Sequence, residues 1–276
     1  MKFSYEVITS RNNPKVKLAA SLSTKKGRDN ERAFIAEGEK LSFEAFDARL
    51  PISQVFVCAT KKDRYTEKLS HYEGVCLYEN TEVFFLSESA FEKISTENAP
   101  QGIITVIKYL DFFREIDIIY KEDFFLPADE RAIILSSVRD PGNLGSVIRS
   151  AAAFGVDHVI LTSDCADLYN PKTVRSAMGS LFRVKTTRVR DMKECILHLV
   201  KCGRRVFSAE LSENARPISE IGLSASDLVI IGNEGHGVDP QLSLVSSGSV
   251  YIPISKKTES LNAAVAAAVF MWEQGK

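Results

Sequence analysis

Three times in residues 131–276, an apolar β-branched run breaks into a loop carrying glycine or proline and then passes into a helical stretch. That alternation confines this part of the chain to the α/β class, a parallel sheet covered by helices. Strands are expected at 132–138, 158–162, 205–209, 228–232 and 250–253. Leu144, Val147, Ile148 and Ala151 recur at i, i+3, i+4 and i+7, so a helix follows the first strand with that face inward. Ser146, Arg149 and Ala153 then fall on the other side. A last helix from about 260 to 274 is apolar nearly all round, which predicts that it is buried.

Residues 1–108 are less regular. Helical signals stand at 13–23 and 38–47, a short strand at 54–58, and 102–107 reads as a closing strand. A smaller α/β module is expected there. An acidic, Phe-rich linker, 109–130, joins it to a third segment, 131–276, and Pro127 breaks any helix in that linker. The longest apolar run is the ten residues from Ala263 to Trp272, whereas a membrane span needs roughly 20. With no apolar core of the signal-peptide type at the start, a soluble, cytoplasmic protein is expected. The five cysteines are scattered, without C-x-x-C spacing, and read as buried, reduced thiols with no metal.

The 35 basic and 36 acidic residues nearly cancel, which excludes a uniformly basic nucleic-acid binder. Distribution carries more. Residues 1–32 hold eight Lys or Arg against three acids, Arg11, Lys25, Lys26 and Arg28 among them. Residues 168–190 hold six, including Lys172 and Arg175, and no acid. These are two candidate anion-facing patches, or two solvated faces.

The three loops are where chemistry is expected, because ligands bind at the carboxyl edge of such a sheet. The first, Arg139-Asp140-Pro141-Gly142-Asn143-Leu144-Gly145, opens a helix whose N-terminus favours anions, and Arg149 lies six residues past Asn143. It lacks the G-x-G-x-x-G and P-loop patterns, so dinucleotide and nucleoside-triphosphate readings are weak, although Asp164 at the end of the second strand keeps a dehydrogenase open. The second loop, Ile231-Gly232-Asn233-Glu234-Gly235-His236-Gly237, sets three glycines around a lone carboxylate. The third runs from Tyr251 and Ile252-Pro253 to Ser260-Leu261-Asn262. Ser260 reads as a helix N-cap, while Asn262 enters the apolar helix needing a partner.

In order and spacing these loops resemble the SpoU/TrmH branch of the SPOUT RNA methyltransferases. Asp140-Pro141-Gly142-Asn143-Leu144-Gly145 with Arg149, Ile231-Gly232-Asn233-Glu234-Gly235, and Ile252-Pro253 with Ser260-Leu261-Asn262 are similar to its three motifs. Arg175-Ser176-Ala177-Met178-Gly179 is similar to the segment between the first two motifs. Ser10-Arg11-Asn12-Asn13-Pro14 and Phe34-Ile35-Ala36-Glu37-Gly38 resemble the substrate-binding domain of the ribosomal-RNA members.

The resemblance implies a C-terminal SPOUT domain closed by a trefoil knot, a feature that fold rules alone make rare. It implies S-adenosyl-L-methionine as methyl donor, bound through the backbone of Gly232, Ile252 and Leu261, and methylation of a ribose 2′-hydroxyl in RNA, foremost large-subunit (23S) ribosomal RNA. Arg149, Asn143, Glu234, Ser260 and Asn262 become the catalytic candidates. Arg11, Lys25, Lys26, Arg28 and Arg175 become the RNA-binding ones. The family also implies a homodimer through the C-terminal domain. A tRNA ribose methyltransferase and a non-catalytic RNA-binding or ribosome-assembly protein are the alternatives.

Overall fold

The computed structural model describes residues 1–110, 113–116, 126–233, 235–255 and 257–276. Two compact units emerge, Met1–Leu110 with Asp167–Phe182, and Asp111–Ala166 with Arg183–Lys276.

In the first unit, β1 (Lys2–Ile8), β2 (Ala33–Glu37), β3 (Ile52–Cys58), β4 (Glu82–Leu86) and β5 (Ile103–Lys108) form one sheet in the order β1-β4-β3-β5-β2. Strands β1, β4 and β3 are parallel, and β5 runs against both β3 and β2. The expected closing strand is therefore interior. Its residues Ile103 to Ile107 are all buried, as a strand flanked on both sides and covered on both faces requires. Helix α1 (Pro14–Ser21) starts where Asn13 caps the Lys15 amide and proline occupies the first turn. Helices α2 (Lys25–Glu31), α3 (Glu39–Asp47), α4 (Lys62–Ser70) and α5 (Glu88–Glu92) complete the covering layer, and Val16, Leu22, Phe56, Leu86, Phe91 and Ile104 meet in the core.

The second unit places β6 (Phe113–Ile116), β7 (Ala132–Leu135), α6 (Pro141–Phe154) and β8 (His158–Thr162) in succession. The acidic linker thus contains a strand. After Ala166 the chain leaves this unit. Residues Asp167–Phe182, with α7 (Pro171–Ala177), pack with the first unit, where Tyr169 stacks between Phe34 and Tyr109 at 4.5 and 4.3 Å. Local periodicity carries no mark of this excursion, because its partners are distant in sequence.

The chain returns in β9 (Lys185–Val189) and continues through α8 (Met192–Lys201), β10 (Val206–Ala209), β11 (Arg216–Pro217), α9 (Ile218–Ile221), β12 (Leu228–Ile231), α10 (Pro240–Ser243), β13 (Gly248–Tyr251) and α11 (Ala263–Gln274). All neighbours in the sheet β11-β13-β10-β12-β7-β8-β9-β6 are parallel. The chain walks β7, β8, β9 in one direction and resumes on the other side with β10, so the order reverses between β7 and β12. Such a reversal opens a crevice at the carboxyl edge. Ile134, Ile160, Ile196, Leu199, Leu228 and Ile230 fill the core beneath it.

Three expectations need correction. Within the candidate basic patch at 168–190, Thr186, Thr187 and Arg188 of β9 are buried, and Arg188 donates to the carbonyls of Ser163, Cys165 and Ala166 at 2.8–3.0 Å. Lys185 is engaged with Glu130, and Arg175 with Glu97, so residues 168–190 are not one anion-facing patch. Helix α11 is buried on one face only, with Val265 and Trp272 50% and 58% exposed on the other. Among the cysteines, Cys76 and Cys202 are exposed, the first in a short turn and the second capping α8.

Candidate functional site

The first loop is fixed at both ends. Ser137 sits at a left-handed φ of 57°, its amide donating to Thr162 Oγ1 at 2.9 Å. Asp140 caps α6 by accepting the Asn143 amide at 2.9 Å, and Pro141 suits the first helical turn. Arg139 donates to Asp164 at 2.8 Å. Partial burial would raise that carboxyl, but hydrogen bonds from Arg139, Ser137 and Thr162 outweigh it and hold Asp164 at about 2. Asp164 therefore braces the loop from outside the cavity described below, which removes the feature that kept a dehydrogenase open.

In the second loop, Gly232 is required by close approach. A Cβ there would lie 2.1 Å from the Gly237 carbonyl carbon. Asn233 and Gly237 exchange backbone hydrogen bonds of 2.9 and 2.8 Å, closing the turn. The Asn233 amide donates to the Ser137 carbonyl at 2.9 Å, pinning the second loop to the first. Glu234 lies outside the described residues.

The third loop corrects the cap assignment. Helix α11 begins at Ala263, and its N-cap is Asn262 rather than Ser260; Asn262 Oδ1 accepts the amides of Ala264 and Val265. With that oxygen committed, Asn262 Nδ2 faces outward and donates to Asn143 Oδ1 at 3.0 Å. The two asparagines thus join the N-termini of α6 and α11. Asn262 found its partner, and the partner is itself a candidate site residue.

Above the carboxyl ends of β13, β10 and β12 lies a cavity of about 510 Å³. Gly232, Ile252, Ser260 and Leu261 line it, with Val238, Val250 and Phe270 among its apolar walls. Among the described residues, no backbone hydrogen bond uses the amides or carbonyls of Gly232, Ile252 and Leu261. A slot of that size with apolar walls and uncommitted backbone polar groups suits a nucleoside-sized ligand. Glu210, directly after β10, also faces it. The sequence reading passed over Glu210; the available signal was an acid immediately past an expected strand at the ligand-binding edge.

Asn143 and Asn262 line a neighbouring groove between α6 and α11, together with Phe154, Val265, Val269 and Trp272. Arg149 is exposed on α6, its side chain making no hydrogen bond among the described residues, and lines neither space. Of the RNA-binding candidates, Arg11, Lys25 and Lys26 are exposed. Arg28 is not; it is 1% exposed, donates to the carbonyls of Leu22 and Ser23 at 2.8 and 3.0 Å, and pairs with Asp167. Its role is corrected to a structural cation that holds the excursion in the first unit.

Residues 130–272 match the SpoU rRNA Methylase family. The chain belongs to that family. Residues 13–105 match the MRM3-like substrate binding domain, so both parts of this SpoU methylase have counterparts. Among curated relatives, the 23S rRNA (guanosine(2553)-2'-O)-methyltransferase RlmP of Bacillus subtilis is 34% identical over 96% of this chain and 97% of its own length. The 23S rRNA (guanosine-2'-O-)-methyltransferase RlmB of Acinetobacter baylyi is 30% identical over 68% of the chain and 75% of its length. Among solved structures, the AdoMet-bound rRNA methyltransferase of Sinorhizobium meliloti superposes with a TM-score of 0.80 at 27% identity, covering 98% of this chain and 97% of that one.

Proposed function

We propose that this SpoU methylase transfers a methyl group from S-adenosylmethionine to a ribose 2′-hydroxyl of large-subunit (23S) ribosomal RNA. The observation that carries the reading is the placement of Gly232, Ile252 and Leu261 around one cavity, beside the Asn143–Asn262 pair. The relatives' activity on 23S rRNA over nearly the whole chain supports the substrate class. The match of residues 13–105 to a substrate-binding domain weighs against the tRNA alternative, which typically lacks one.

The cavity fits the donor. Its apolar walls suit the adenine, its uncommitted backbone groups suit a polar ligand, and Glu210 and Glu259, with no lysine or arginine among the described lining residues, suit a cation. When bound, S-adenosylmethionine supplies a methyl group activated on a sulfonium. The protein must then align the nucleophile, exclude water and ease loss of the hydroxyl proton. Asn143 and Asn262 hold each other's amides in one orientation at two helix N-termini, where oxygen charge developing on the ribose is favoured. Ser260 and Glu234 complete the site. Arg149 is assigned to a phosphate of the target or to the developing alkoxide, because a guanidinium, with its very high pKa, is a poor proton acceptor.

The remaining assignments belong to the same reading. Residues 1–108 hold RNA through Arg11, Lys25 and Lys26, with Arg175 available once released from Glu97; residues 109–130 link to a catalytic domain at 131–276. The trefoil knot is supported by β12 lying between β10 and β7 and by the Asn262–Asn143 bond joining the last segment to the first loop. A homodimer is supported by the half-exposed apolar groove of α6 and α11. Among the described residues, no helix is long and apolar enough to cross a membrane; action in the cytoplasm, where ribosomal RNA resides, is proposed.

The test is incubation of the purified protein with methyl-labelled S-adenosylmethionine and, separately, unmodified ribosomal RNA and bulk tRNA. Label in ribosomal RNA alone is expected, and label in tRNA alone overturns the substrate class.

A further inference from the structure

One charged group in the cavity, named above only for its charge, is held in place by partners of its own. Strand β10 is the middle one of the three strands whose ends border the cavity, and Glu210 follows it directly. Its Oε2 accepts from Ser243 Oγ at 2.9 Å and its Oε1 from Ser249 Oγ at 2.6 Å. Ser243 Oγ is itself 2.8 Å from Ser208 Oγ, so the supporting hydroxyl is held in turn. The carboxylate is aimed before any ligand arrives.

Its surroundings call for donors. Among the described residues Glu210 makes no ion pair, and the titratable side chains sharing the cavity are His236, Tyr251 and Glu259. A carboxylate only accepts, and with one serine bond on each oxygen each keeps further lone-pair capacity. Two adjacent acceptor oxygens match two adjacent hydroxyls. In nucleotide-binding α/β sheets, an acidic side chain commonly meets ribose hydroxyls beside the carboxyl ends of the strands.

We propose that Glu210, steadied by Ser243 and Ser249, is the residue that recognises the ribose cis-diol of the nucleoside bound in this cavity. The proposal rests on the reading that the cavity holds S-adenosylmethionine. It goes beyond backbone recognition, since it gives the donor's sugar a side-chain partner that the three motifs do not contain. A purely structural role, tying β10 to β13 and α10, makes a different prediction.

The experiment is calorimetric binding of S-adenosylhomocysteine, its 2′-deoxy and 3′-deoxy analogues, and methylthioadenosine, which keeps the diol but lacks the amino acid. In the unaltered protein, removing either hydroxyl is expected to weaken binding about tenfold or more. Glu210→Gln should bind the parent compound and methylthioadenosine about tenfold more weakly, and should lose most of the discrimination against the deoxy analogues. Ser249→Ala, which leaves the carboxylate but loosens it, should fall between the two.

Four results overturn the proposal. One is equal affinity of the unaltered protein for parent and deoxy compounds, which needs no variant. Another is a Glu210→Gln protein that discriminates as strongly as the original. A third is weakened binding of S-adenosylhomocysteine with unchanged binding of methylthioadenosine, which puts the carboxylate on the amino group instead. Finally, a folded, unaltered protein that binds none of these ligands overturns the reading of the cavity itself, and the proposal with it.

Discussion

Asn262 does two jobs that different substitutions separate. Its oxygen caps α11 and its nitrogen holds Asn143. Asn262→Ala should cost about 0.5–2 kcal/mol of stability through the lost cap. Asn262→Asp keeps a capping oxygen, so stability should stay close to that of the unaltered protein, but its carboxylate forces the Asn143 amide to turn over. Methyl transfer should fall in both variants, measured alongside denaturant unfolding. Full activity in the aspartate variant contradicts a role for the pair. Both asparagines were legible as site candidates from their loops. Their mutual bond was not, because sequence spacing puts the cap at Ser260 and only the observed helix start transfers it to Asn262.

Asp164 gives a prediction in pH. Its carboxyl is about 2 in the folded chain, against roughly 3.9 when unfolded. The folded state therefore binds the proton less readily, so the stabilisation is fully present above about pH 4 and disappears as pH falls to about 2. The stability gap between the unaltered protein and Asp164→Asn should shrink over that window in unfolding measurements. A gap that stays constant from pH 7 to 2 contradicts the bracing role.

Among the elements, α11 decides most. Its alanines allow close packing against α6 and the sheet, and Gln274 donates to the carbonyls of Ala132 and Asp227 at 3.3 and 2.7 Å, anchoring its far end. The opposite face leaves Val265 and Trp272 half exposed. If that groove seats a second copy, Trp272→Asp should shift the protein from dimer to monomer in sedimentation equilibrium, with little change in thermal stability of the monomeric unit. Unchanged association contradicts the assignment. The same helix marks where periodicity fails. A stripe of alanines looks apolar all round, yet small side chains cannot declare which face is covered. Strands β7, β8, β10 and β12 were legible because their runs are buried almost throughout, and β13 through Val250 and the proline that follows it at 253. Strand β9 was not, since the partners that let it be buried, carbonyls of residues 163–166 for Arg188 and the His158 ring for Thr187, lie more than twenty residues away in sequence.

For the whole molecule, the charge argument survives in narrower form. Lys25 and Lys26 are exposed at the start of α2, whereas Arg28 is enclosed with Asp167. Reversing Lys25 and Lys26 together should weaken RNA binding and flatten its salt dependence, leaving cosubstrate affinity unchanged. Arg28→Ala should instead destabilise the first unit, by about 3–5 kcal/mol if the pair behaves as a fully buried one. Unchanged RNA affinity in the double reversal removes the α2 surface from the RNA interface. Net charge concealed this distinction, because one buried and two exposed cations count alike in a sequence.

What defines the proposed reaction is that the methyl group arrives on a ribose oxygen. The most direct measurement is alkaline hydrolysis of 23S ribosomal RNA after incubation with the protein and labelled S-adenosylmethionine, with Arg149→Ala and Arg149→Lys in parallel. Label is expected at one phosphodiester that resists alkali, lost with Arg149→Ala and retained in part with Arg149→Lys. Label that alkali releases in ordinary mononucleotides would put the methyl group on a base and contradict it.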